Sequence, residues 1–121
     1  MLGNWNISGL YMKKGDFGWG VYTKNKILKG RLIERAIMYR LNNVDGNENP
    51  HLFTWSDDRK TWAGGSGFTP FYNHWDNPNI EKVGDLEKDT LSIYAARDIE
   101  EDEELLGKYF SKEWRKCFKE F

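Results

Sequence analysis

Three short runs in this chain combine residue types able to bind or transform a ligand. The first is Asp16-Phe17-Gly18-Trp19-Gly20-Val21-Tyr22, where two glycines flank one large ring. Such glycines permit a tight turn and let a ligand approach backbone amides closely. Read alone, a Gly-x-Gly is more often a turn than a site. It is not a dinucleotide fingerprint, because a third glycine and a following helix are missing. The second run, Gly67-Phe68-Thr69-Pro70-Phe71-Tyr72-Asn73-His74-Trp75-Asp76-Asn77-Pro78-Asn79, ends an apolar stretch on Asn73 and His74. A buried Asn needs partners for both its carbonyl and its amide, so by itself this run reads as a loop braced by its own polar side chains. The third run extends from Arg97 to Tyr109 and holds five consecutive acids, Glu100 to Glu104. Taken alone it is a solvated turn whose field would attract a basic peptide. It lacks the ligand pattern of a cation site. His74 has only His51 as a second histidine and no thiolate pair, so no metal is expected.

Short strands must carry these runs. Gly20 to Thr23 has β-type content, and Leu91-Ser92-Ile93-Tyr94-Ala95 alternates Leu91, Ile93 and Ala95 against Ser92 and Tyr94. Asp45-Gly46, Gly64-Gly65 and Asn77-Pro78 mark turns. Two stretches have helical spacing. Residues 31–41 put Ile33, Ile37 and Leu41 at i, i+4 and i+8, which predicts a helix. Near the C-terminus, Ser111 suits an N-cap and Glu113 the first turn. Trp114, Cys117, Phe118 and Phe121 then share one face. The physical reading is a mainly β domain with a short C-terminal helix.

Bulk properties narrow the partners. At 121 residues the chain is one domain with a modest core. Its formal charge of −1, from 18 basic and 19 acidic side chains, argues against binding nucleic acid by phosphate neutralisation. One cysteine, Cys117, rules out an internal disulfide and suits a reducing interior. No segment approaches a membrane span, and the N-terminus lacks a signal-peptide pattern, so a soluble, intracellular protein is expected. The aromatic fraction, 16%, is rich; most rings would fill a small core, and some would line a ligand channel.

Taken together in order and spacing, the runs resemble the SET-domain family of protein lysine methyltransferases. Gly18-Trp19-Gly20-Val21-Tyr22 is similar to the family's opening Gly-x-Gly-Val-Phe/Tyr. Lys29-Gly30 with Ile33-Glu34 resembles the strand that follows, and Leu52-Phe53-Thr54-Trp55 its Tyr-x-Phe segment. Asn73-His74 followed by Pro78-Asn79 matches the Asn-His signature. Tyr94-Ala95-Ala96-Arg97-Asp98-Ile99, Glu103-Glu104-Leu105 and Tyr109 match the closing motif. The likeness runs from about residue 16 to residue 114 of a single domain, 1–121, and is nearest the minimal stand-alone forms of viruses and bacteria. Departures are His51 for the usual Tyr, Trp75-Asp76 for Ser-Cys, Asp102 for Gly and Lys108 for Asp.

The resemblance implies several small β-sheets and a pseudoknot in which residues 73–79 and the stretch ending at Tyr109 pass through one another, an unusual threading. It implies S-adenosylmethionine as cofactor, with S-adenosylhomocysteine as product, and a lysine-bearing protein or peptide as substrate. Gly18, Trp19, Gly20, Asn73, His74 and Trp114 would bind the cofactor. Tyr109 would be the catalytic hydroxyl, and His51, Phe53 and Phe110 would line the lysine pocket. Two rivals stand beside this reading: a SET-like module that binds without catalysing, and an unrelated Trp-rich β domain that binds peptides or sugars. The missing flanks and the apolar face from Trp114 to Phe121 suggest a homodimer. The substrate protein, target lysine and number of methyls are not encoded in any motif.

Overall fold

Residues 32–41 form a strand, not the helix that the spacing of Ile33, Ile37 and Leu41 predicts. Glu34, Ala36 and Met38 are buried while Arg35, Ile37 and Tyr39 are exposed, a period of two. The register shifts between Leu32 and Glu34, so Ile33 and Glu34 are both buried. That irregularity, and a carboxylate among the inward residues, hide the alternation. The helical spacing of the three apolar residues is a coincidence, and Ile37 faces outward.

The computed structural model describes residues 9–16, 18–44, 46, 49, 51–56, 58 and 60–108. The strands are β1 (Leu10–Gly15), β2 (Gly18–Thr23), β3 (Leu32–Leu41), β4 (Phe53–Thr54), β5 (Trp62–Gly65), β6 (Asn73–His74), β7 (Ile80–Asp85), β8 (Thr90–Ala95) and β9 (Leu106–Gly107), with a 3-10 turn at Thr69–Phe71. They make three sheets: the β1–β2 hairpin, a five-stranded antiparallel sheet in the order β4-β5-β3-β8-β7, and the parallel pair β6–β9. This is the mainly β architecture of small sheets expected from the sequence, with β2 where the β-type content and β8 where the alternation put them, but Gly64-Gly65 lies buried within β5 rather than in a turn. The expected C-terminal helix lies outside the described residues.

The core lies on one face of the five-stranded sheet, where Ile80, Leu91, Ile93 and Ala95 meet Val21, Tyr72, Ile99 and Leu105. Trp55 and Trp62 are also buried, whereas Trp19 and Trp75 are 55% and 50% exposed. Aromatic content alone does not separate these two roles. Trp55 donates its indole N–H to Asp89 Oδ1 at 2.8 Å, and Arg40 pairs with the same carboxylate at 2.9 Å. This anchors the chain just after β4 and so fixes Phe53.

Residues 103–107 are held along both edges. On one edge Tyr22 bridges Glu104, and Leu105 N–H donates to Val21 O at 2.8 Å. On the other, β9 pairs with β6, and Trp75 N–H donates to Gly107 O at 2.9 Å. Asn79 clamps this second edge. Its Nδ2 donates to Glu103 Oε2 and Glu104 O, both at 2.8 Å, and its Oδ1 accepts from Leu106 N–H at 2.7 Å. Residues 73–79 are therefore paired and hydrogen-bonded along residues 103–107; Tyr109 lies outside the described residues.

Candidate active site

Three stretches far apart in sequence meet at Asn73. Its Nδ2 donates to Trp19 O at 3.2 Å and to Glu104 Oε2 at 2.9 Å. The Tyr22 hydroxyl donates to the other Glu104 oxygen at 3.3 Å. Burial, and after it the Glu104 carboxylate, raises the Tyr22 phenol above its ordinary pKa. A side chain on Gly20 would collide with Glu104 Oε2 and approach Asn73 Nδ2 to 3.0 Å, so close approach demands glycine there. Gly18 is different: its φ is +88° and the space beside it is open.

The acidic run divides. Glu100, Glu101 and Asp102 are exposed, as a solvated turn should be, but Glu103 and Glu104 turn inward. Glu103 is half-buried, and its hydrogen bonds from Arg97, the Glu100 N–H and Asn79 outweigh that burial and lower its pKa. Asp102 has φ +62°, which explains why the family usually carries Gly there. Its N–H donates to Thr23 O at 2.6 Å and its Oδ1 accepts from Tyr11 at 3.0 Å. Sequence reasoning missed Glu104 and Asn79 as organisers of the site. Their signal was the Glu-Glu-Leu and Pro-Asn of the motifs, read as family marks rather than as partners of Asn73 and of each other.

His74 has a largely enclosed side chain whose Nε2 lies 2.9 Å from Asp76 Oδ1. Among the described residues no group of three or more His, Cys, Asp or Glu side chains is placed to hold a metal ion. His51 is exposed; its Nδ1 lies 2.9 Å from Pro70 O and its ring is tilted against Phe71 at 5.2 Å. Phe53 is half-buried against the core, and the Lys82 amine lies 5.9 Å from its ring centroid. Gly18, Trp19, Gly20 and Asn73 are thus brought together. His74 is adjacent but directed to Asp76, and His51 sits on the 70–71 turn. Tyr109, Phe110 and Trp114 lie outside the described residues.

Glu34 supports this arrangement from within the core. Its oxygens accept from Phe68 N–H at 2.9 Å and from Tyr72 O–H at 2.8 Å, tying β3 to the segment that leads into Asn73. Burial raises its pKa, while the two hydrogen bonds work against that rise. The folded state therefore keeps the proton over a pH interval in which the unfolded chain has lost it. Stability is greatest below the ordinary carboxylate range and falls as pH rises through the raised value. Urea denaturation across that interval should show this fall, and Glu34→Gln should flatten it. A wild-type midpoint that rises through the interval would contradict the assignment.

The geometry fits S-adenosylmethionine. Glu104 carries negative charge beside Gly20, and among the described residues no Lys or Arg forms an ion pair with it. Asn73 spends its amide on Trp19 and Glu104, leaving its carbonyl oxygen as an acceptor. A cationic ligand bearing an amine matches that set. Comparisons with known proteins point the same way. A family model described as the SET domain matches residues 18–110. A solved structure from Plasmodium falciparum, described as a candidate histone methyltransferase, is 25% identical and superposes with a TM-score of 0.67. The match covers 85% of this chain and 95% of that one. No curated protein matches the chain in sequence.

Proposed function

The chain belongs to the SET-domain family, and from that premise we propose how its residues divide the work of an S-adenosylmethionine-dependent protein lysine methyltransferase. The reaction is methyl transfer to a lysine side chain of a protein. When bound, S-adenosylmethionine supplies an electrophilic methyl group on a sulfonium. The observation that carries the residue assignment is the convergence of Trp19 O, Asn73 and Glu104 beside Gly20. Gly18 to Gly20 offer backbone to the amino-acid part of the cofactor. Asn73 and His74 hold its amine and adenine ends, and Trp114 stacks on the adenine. Glu104 orients Asn73 and complements the positive charge.

The acceptor lysine must be neutral to attack, and a free lysine has a pKa of about 10.4. Apolar walls disfavour the ammonium, as does a neighbouring positive charge. Phe53, His51 and Phe110 form those walls in this reading, and the Tyr109 hydroxyl aligns the amine at the transfer end. Alignment of the reacting groups supplies much of the remaining rate. The homodimer belongs to this proposal too, through the apolar side chains of 114–121, which lie outside the described residues. Among the described residues no helix is long and apolar enough to cross a membrane.

The test is a thermal melt with and without cofactor. At about 100 times its dissociation constant, S-adenosylmethionine or S-adenosylhomocysteine should add roughly 2.7 kcal/mol of stability. Calorimetry should register the same binding, and a lysine peptide should be methylated. No thermal shift and no heat of binding would overturn the assignment. Binding without turnover would leave only a non-catalytic module.

A further inference from the structure

Lys82 stands out on the core face of β7. In register it lies opposite Ile93, and with Ile80 and Gly84 it points to the side of the sheet that carries the core. Every other described lysine is exposed, whereas Lys82 is half-buried. A lysine at such a place usually sends its amine outward to water. Here the tip turns inward. Its Nζ lies 5.9 Å from the Phe53 ring centroid. Its Cε and Nζ would lie 2.7 and 3.3 Å from a side chain on Gly107, so the missing side chain of Gly107 is what admits it. Gly107 belongs to β9, which pairs with Asn73–His74, and it precedes Tyr109 by two residues in the sequence.

The amine therefore rests between a wall assigned to the acceptor pocket and the strand that runs beside Asn73. We infer that Lys82 is itself a methyl acceptor, and that the protein methylates it within the same chain. The inference rests on the site reading given under Proposed function.

The chemistry balances with the cofactor alone. The lone pair of the neutral Lys82 amine attacks the methyl carbon of S-adenosylmethionine. A nitrogen–carbon bond forms as the carbon–sulfur bond breaks. The bonding pair stays on sulfur, giving the thioether S-adenosylhomocysteine, and the new secondary ammonium releases one proton to solvent. Burial lowers the Lys82 pKa to about 8, so a large neutral fraction exists only slightly above neutral pH. An exposed lysine lacks that advantage.

Purified protein, incubated with S-adenosylmethionine and digested for peptide mass spectrometry, should carry the methyl on Lys82. The single-turnover rate should be independent of protein concentration. Lys82→Arg and Lys82→Met should both lose the modification, and circular dichroism of the two variants guards against misfolding of either. A second readout needs no turnover: the Lys82 side-chain NMR resonance, assigned with Lys82→Arg, should move on adding S-adenosylhomocysteine while those of Lys13 and Lys88 stay. Methylation of a lysine peptide with Lys82 unmodified overturns the inference and leaves the methyltransferase reading standing. Methyl on another lysine, a rate that grows with protein concentration, or an unmoved Lys82 resonance in cofactor-bound protein also overturns it. Absence of both cofactor binding and peptide turnover removes the site reading itself.

Discussion

Asn79→Ala should destabilise the domain by about 4 kcal/mol, through three lost side-chain hydrogen bonds at roughly 1 kcal/mol each and the cost of stranding buried partners. Asn79 is 1% exposed, so water does not replace what the side chain gave. The Leu106 N–H loses its acceptor and the Glu104 carbonyl loses a donor. A domain of this size has only about 5–15 kcal/mol in total, so the variant should be largely unfolded on modest heating. Asn79→Asp is the informative companion. It keeps the acceptor for Leu106 but sets a second carboxylate against Glu103, 2.8 Å from the present donor. It should be severely destabilised at neutral pH and recover in part as acid restores a proton between the two groups. Chemical denaturation at two pH values measures both effects. A loss below about 1 kcal/mol for Asn79→Ala would show that the clamp is dispensable.

Tyr109→Phe should lower turnover by about 10²-fold, equivalent to about 2.7 kcal/mol of transition-state stabilisation. The substitution removes one oxygen and keeps the ring, so packing is retained. On the proposed assignment, what is lost is a polar contact to the lysine amine or the transferring methyl, made more strongly in the transition state than in the ground state. One oriented donor or acceptor in a dry site is worth that much. A core tyrosine bonded to backbone would behave oppositely, costing about 1 kcal/mol of stability and little activity. Turnover on a lysine peptide, measured with cofactor affinity and melting temperature, separates the two. Near-normal turnover refutes the assignment, and a loss counts in its favour only when cofactor binding is intact.

How much of this was legible in the residues differs from element to element. β8 announces itself because Leu91, Ile93 and Ala95 alternate cleanly and pair in unbroken register with β7, the irregularity opposite Ile93 and Tyr94 falling on β3. β3 does not, because its inward row contains Glu34, whose partners Phe68 and Tyr72 are more than 30 residues away. No local pattern reveals that a carboxylate will be satisfied at that distance. The same holds for Glu104, indistinguishable from four neighbouring acids until Tyr22 and Asn73 are beside it. Gly18 and Gly20 look alike in the sequence, yet one serves a positive φ and the other a close approach. Asp102 was legible as a departure from the family pattern; its φ of +62° supplies the reason the position matters. Lys82 carries no motif at all. Its inward course depends on Gly107, 25 positions later, having no side chain.

The double edge of residues 103–107 also dictates an order of assembly. The β1–β2 and β7–β8 hairpins close over short loops and make the most local strand contacts. The Tyr22–Glu104 contact spans 82 positions, and closing a loop of that length costs roughly 4 kcal/mol of chain entropy by logarithmic scaling. That cost is recovered only when β2 and the 73–79 segment already stand on either side to receive the strand. Contacts of such separation slow folding and are made after local ones. By the same reasoning Asn73 and Glu104 meet only after the local hairpins have formed. A partly folded chain can hold its local hairpins and still lack the contacts assigned to the cofactor.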